Sequence, residues 1–195
     1  FTILGSAFML VAFLVVYFST GSLDMIELVT MDLTDLLIPV QVVFMFFFLA
    51  FAVKLPVWPL HSWLPDAHTD APTAASVMLA GVLIKMGGYG MIRVLVTMFP
   101  DVTRDYAWFL VTLAVVSIIY GAIVTIRQSD LKRLIAFSSV SHMGLVLLGI
   151  GSVAAVTVSP VGLNGAAMQM FTHGLSSAMI SPRSISSPFF LSMKS

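Results

Sequence analysis

Long apolar runs with almost no charge recur along this chain, and they restrict its fold more than any other feature. Six runs of about 18 residues or more can be laid out, at roughly 2–19, 37–62, 73–97, 107–127, 131–152 and 161–180, joined by short connections. Hydrophobic residues make up 59% of the sequence and charged residues 9%, and mean hydropathy is +1.05. A water-soluble domain is not this apolar along its whole length. The fold class expected is therefore all-α: a polytopic transmembrane helical bundle.

Several function classes fall away at once. Net charge is zero and no basic tail or basic-aromatic stripe occurs, so nucleic acid is not an expected partner. Cysteine is absent, which removes disulfides, thiolate chemistry and cysteine-held iron-sulfur clusters. No glycine-rich dinucleotide fingerprint follows a strand. Electrons, if the parent assembly handles them, are expected to travel through other chains. The first residue is Phe1, inside an apolar run without the flanks of a signal peptide, and the expectation is a numbering that starts within a longer protein.

Loop charge orients the spans. Asp24, Glu27, Asp32 and Asp35 fill the first connection without a base, whereas Arg127, Lys132 and Arg133 stand against Asp130 between spans four and five. Basic excess marks the cytoplasmic side or its organellar equivalent. On an alternating path the loop at 63–72 shares that inner side, and the loop with Asp101, Arg104 and Asp105 lies outside.

Single ionisable residues interrupt the apolar runs. Pro56, Pro59 and Pro65 break the second run just after Lys54; each removes a backbone donor and clashes with the preceding turn. A break exposed to lipid would leave carbonyls unpaired, so it is expected to face protein or a watery cavity, as in transporter helices broken near the midplane. The plainer reading ends the span at residue 56, with Lys54 snorkelling and Trp58 and Trp63 in an interfacial belt. Lys85 lies at the centre of the third run, where a lysine costs about 2.5–3.5 kcal/mol even on a lenient insertion scale. Gly81 and Gly88 flank it at helical spacing, which leaves room for a close helix or for water. Its plainer reading is a structural lysine paired with a buried carboxylate.

His142 follows Ser138 and Ser139, and His173 is flanked by Gln169, Ser176 and Ser177, so each lies on a narrow polar stripe. A histidine there can accept and release a proton near neutral pH; interhelical hydrogen bonding is the competing role. His61, Asp66, His68 and Asp70 fall within ten residues, but their spacing fits no closed zinc pattern. A proline-rich loop is expected there, then a helix entered at Asp70, Pro72 and Thr73, with His61 continuing the lysine row and no metal bound.

The run Phe51-Ala-Val-Lys54-Leu-Pro56-Val-Trp-Pro59-Leu-His61-Ser-Trp63-Leu-Pro65-Asp66-Ala-His68, then Ala71-Pro72-Thr73-Ala74 and Leu79-Ala-Gly81-Val-Leu-Ile-Lys85-Met-Gly-Gly88-Tyr-Gly90, resembles the antiporter-like chain 4, or subunit M, of respiratory complex I. So do Arg127-Gln-Ser-Asp130-Leu-Lys132-Arg133, Ser138-Ser139-Val-Ser-His142-Met-Gly144 and Phe171-Thr-His173-Gly174. The resemblance covers roughly residues 1–180. It implies a proton-translocating membrane subunit of NADH:quinone oxidoreductase, an inverted-repeat antiporter-like fold with one proline-broken helix, and proton transfer along Lys54, Lys85 and His142, supported by His61 and His173. It also implies no cofactor in this chain, with FMN, iron-sulfur clusters and quinone held by other subunits. Implied partners are other membrane-arm subunits, related antiporter-like ones included, together with lipid, protons and water.

The same resemblance implies a glutamate partner for Lys54 upstream of Phe1 and a second broken helix downstream. Residues 181–195, rich in serine and proline, depart from the family's apolar helix and read as an atypical tail beside the 1–180 transmembrane region. Two alternatives remain: a subunit of a multi-subunit Na+/H+ antiporter, and a truncated, non-pumping structural fragment. The bacterial plasma membrane is the preferred location, with the mitochondrial inner membrane or the thylakoid as alternatives.

Overall fold

A computed structural model of the protein describes residues 2–31, 33, 36–155 and 160–186; Asp32, Asp35 and residues 187–195, read above as loop charge and tail, lie outside them. Among the described residues every regular element is helical.

The elements are α1 (Thr2–Thr20), α2 (Met25–Thr30), α3 (Val40–Lys54), α4 (Trp63–Asp70), α5 (Thr73–Met78), α6 (Ile84–Gly90), α7 (Pro100–Asp105), α8 (Ala107–Ile126), α9 (Leu131–Ala155) and α10 (Pro160–Ser186), with π-helical stretches at Leu79–Leu83 and Met91–Val96. Local chemistry sets several boundaries. Asp24 caps α2 by accepting from the Ile26 amide at 2.9 Å, and Asp130 caps α9 by accepting from the Lys132 amide at 3.0 Å. Pro72 precedes α5 and Pro100 opens α7, where a missing N–H is harmless.

The second run breaks where its prolines stand: α3 stops at Lys54 after 15 residues, because Leu55 precedes a proline and leaves the helical region. Three other elements differ from the sequence reading. The segments read as loops around 63–72 and 101–105 contain short helices, α4 and α7. Finally, α10 runs past Ile180 to Ser186.

Among the described residues, four helices are long and apolar enough to cross a bilayer: Thr2–Thr20, Ala74–Val96, Ala107–Ile126 and Leu131–Ser152. The protein is an integral membrane helical bundle. Of these spans, Leu131–Ser152 is 56% buried and Thr2–Thr20 only 17%, which places α9 at the centre and α1 at the edge. Outward-facing Ile3, Leu10 and Phe18 on α1 suit lipid or a neighbouring helix. The core is apolar and aromatic, with Phe44, Phe47, Leu55, Ile84, Met91 and Met143 among its fully buried side chains.

Small residues set how closely α8 and α9 approach. A Cβ on Gly121 would stand 2.7 Å from the Ser141 amide nitrogen, and one on Gly144 would stand 2.8 Å from Ile118 Cγ1. Gly121→Leu is expected to destabilise the bundle by about 1–3 kcal/mol, the usual cost of overpacking. Thermal unfolding of the purified assembled complex measures this, and an unchanged midpoint for the subunit would contradict it.

Candidate functional site

Breaking α3 after Lys54 strands backbone groups among apolar side chains, and two side chains from elsewhere take them up. Trp63 Nε1 donates to Val53 O at 2.9 Å, and the Trp58 amide donates to the fully buried Ser117 Oγ at 3.0 Å. Leu55 and Val57 are almost completely buried. The break therefore faces protein, and the Trp63 indole serves it directly instead of lying in an interfacial belt. Lys54 is half-buried at the helix end. The backbone there is covered by Gly87, whose absent Cβ would stand 2.7 Å from Leu55 N.

Two residues before Gly87 comes Lys85, also half-buried. Its ammonium donates to Ala80 O, a carbonyl of the π-helical stretch Leu79–Leu83, and lies 2.9 Å from His173 Nδ1. With Lys85 charged, Nδ1 accepts, and the ring proton of His173 resides on Nε2, which faces Ser177 Oγ at 3.5 Å. The ring of His142 stands 5.0 Å from that of His173, centroid to centroid. One lysine and two histidines from three segments thus converge, and His142 Nδ1 is buried without a partner among the described residues. A side chain on Gly174 would crowd this point, since its Cβ would lie 3.3 Å from Gly81 O and 3.7 Å from Lys85 Cε.

Gly88 and the serines around these groups act differently from the sequence reading. A Cβ on Gly81 would meet nothing within 4 Å, but Gly88 is packed against Met170, Leu55 and Val146 and leaves no space for water. Ser138 and Ser139 donate to Ile135 O at 2.9 and 2.8 Å, back into their own helix. Ser176 does likewise, donating to His173 O at 3.1 Å. Among these serines, Ser177 is the one that reaches a histidine ring.

His61 is buried beside Tyr120 and Phe137, at ring-centroid distances of 5.0 and 6.2 Å, and its Nδ1 has no partner among the described residues. It belongs to the break and not to the lysine–histidine cluster. The sequence reading missed His68. That side chain is 3% exposed on α4, its Nε2 is unpartnered, and its carbonyl accepts from Ser76 Oγ at 3.2 Å. Burial first, then the charges of Lys132 and Lys85, hold its pKa down at about 4, so it is neutral at pH 7. The exposed Asp66 and Asp70 on the same short helix gave its sequence the look of a solvated loop. Among the described residues no three His, Asp or Glu side chains converge as a metal-ligand set.

The family described as NADH:quinone oxidoreductase/Mrp antiporter, TM, matches residues 1–183. The chain is 45% identical over 182 residues to NADH-ubiquinone oxidoreductase chain 4 of Chondrus crispus, covering 92% of this chain and 35% of that protein. It is 43% identical over 191 residues to NADH-quinone oxidoreductase subunit M of Rhodobacter capsulatus, covering 92% and 36%. Its fold is similar to a chain of respiratory complex I from Thermus thermophilus with bound NADH, with a TM-score of 0.79 and 31% identity over 93% of this chain and 39% of that one. The fold is also shared, at 24% identity and a TM-score of 0.79, with a chain of the Mrp complex from Dietzia sp. DQ12-45-1b, over 92% of this chain and 32% of that one. The chain spans little more than a third of the length of these sequence relatives.

Proposed function

Because the chain belongs to the NADH:quinone oxidoreductase/Mrp antiporter transmembrane family, we propose that it forms part of a proton-translocating membrane subunit of an NADH:quinone oxidoreductase. The observation that carries this reading is the half-buried contact of Lys85 with His173 at 2.9 Å, with His142 one ring further on. Three titratable groups of this kind, among apolar helices, form a path along which a proton is held and handed on. Unpartnered nitrogens on His142 and His68 take up water that extends the path.

Lys54 is the input. A charge change in a neighbouring membrane-arm subunit alters the partner of Lys54 and so starts the transfer. The proton then passes toward Lys85, His173 and His142, while His61 supports the break. FMN, iron-sulfur clusters and quinone belong to other subunits, and this chain has no thiolate with which to hold a cluster. The bacterial plasma membrane is the proposed location.

The test uses the full-length subunit in its assembled complex, reconstituted in vesicles, with His173→Leu and His142→Leu read by protons moved per NADH oxidised. Each is expected to slow translocation by at least about tenfold, the factor for each 1.4 kcal/mol added to a barrier. Full pumping by both variants would defeat the reading. A second reading, as a subunit of a cation/proton antiporter, draws on the fold shared with the Mrp chain. Proton movement that requires Na+ and proceeds without NADH oxidation would favour it.

A further inference from the structure

The reading above leaves Lys132 without a task, although its side chain is half-buried at the start of α9. A positive charge in the first turn of a helix faces the positive end of that helix's own dipole. Lys132 turns away from it: its Nζ donates to Thr69 O at 3.3 Å and to Ala71 O at 3.1 Å, across more than sixty residues of sequence. These carbonyls belong to the last turn and cap of α4, where a helix leaves acceptors unpaired and where a cation is favoured. The same α4 carries His68, one residue before Thr69. The same α9 carries His142, ten residues or about 15 Å along the helix from Lys132.

We propose that Lys132 is a positioning residue that fastens the C-terminal end of α4 to the start of α9 and so fixes His68 relative to the Lys85–His173–His142 cluster. The inference rests on the proton-transfer reading of that cluster. Ser76 completes the attachment from the other side, since its hydroxyl donates to His68 O. The charged and titratable groups acting on His68 are Lys132 from α9, Lys85 from α6 and His173 from α10; Asp66 and Asp70 on its own helix are exposed. Among them Lys132 is the group that both touches the α4 backbone and adds a positive charge beside the histidine.

The experiment measures protons moved per NADH as a function of pH in vesicles holding the full complex with Lys132→Met, Lys132→Gln or Lys132→Arg. Removing the charge lets His68 keep a proton at higher pH. The acid limb of the profile is therefore expected to move up by about half a unit to one unit in Lys132→Met and Lys132→Gln, as loss of one charge at a partly screened distance implies. Lys132→Arg retains both the charge and the reach to two carbonyls, and it is expected to restore the native profile. A native profile in Lys132→Met, or an equal shift in Lys132→Arg and Lys132→Gln, overturns the proposal. If Lys132→Met fails to assemble, amide exchange over residues 69–76 decides between the other two variants. Faster exchange in Lys132→Gln than in Lys132→Arg is expected, and equal protection overturns the proposal. A Lys85→Ala complex in the same series separates the two failures. Pumping lost there but unaffected by every Lys132 variant defeats this inference alone, whereas pumping retained there defeats the proton-transfer reading beneath it.

Discussion

Replacing Lys85 by alanine in the full-length subunit is expected to abolish net proton translocation while electron transfer from NADH to quinone continues in the assembled complex. The expectation follows from where the charge sits and what it costs. A lysine at the middle of a span costs about 2.5–3.5 kcal/mol to insert, and Lys85 offsets this through Ala80 O and His173 Nδ1. An ionisable group placed at such a cost is a candidate for function, and the π-helical stretch that ends at Leu83, just before it, is a form of helix frequently found at functional sites. Without the ammonium, His173 keeps a 5.0 Å neighbour in His142 but loses its nearest proton donor. Alanine also removes a positive charge that acts on His68, His142 and His173 together. The measurement is proton uptake and NADH oxidation recorded side by side in vesicles. A ratio equal to that of the native complex, with the subunit present in normal amount, would reduce Lys85 to a structural lysine.

Lys85, His142 and His173 were legible in the sequence because each is a lone ionisable residue inside an apolar run, and the cost of that placement makes the residue stand out. Their mutual contact was not legible. It joins α6 to α10 over 88 positions, and no local period encodes which face of one helix meets which face of another. The serine stripes misled for a physical reason: in a helix a hydroxyl can return to a carbonyl three or four residues back, so helical spacing from a histidine does not make it that histidine's partner. His68 was hidden by its own neighbours, because Asp66, Thr69 and Asp70 give α4 the composition of a loop while tertiary packing buries one face of it. The broken helix was the reverse case. Prolines announced it, but how the stranded groups are satisfied, by Trp63 and by Ser117 from α8, depends on side chains ten and 59 residues away.

A second large effect is expected at Gly87, which carries no charge and lies outside the hydrogen-bonded cluster. A Cβ there would stand 2.7 Å from Leu55 N, 3.1 Å from Leu55 Cβ and 3.1 Å from the carbonyl carbon of Lys54. Two of those atoms are backbone at the broken end of α3, so neither can swing aside as the tip of a flexible side chain would. Gly87→Val must therefore separate α6 from the break, at about 1–3 kcal/mol for overpacking a well-filled interface. It should lower the thermal midpoint of the complex and, in the fraction that assembles, the protons moved per NADH. Gly165→Ala is the matched control, because nothing lies within 4 Å of a Cβ built there. A Gly87→Val complex that melts and pumps like Gly165→Ala would remove the structural link argued for here. The reason to expect otherwise is that Lys54 ends α3 at this contact while Lys85 stands two residues before Gly87 on the helix that covers it. The interval between their backbones is set where Gly87 meets Leu55, so the valine side chain at that point is expected to act on proton transfer without touching a titratable atom.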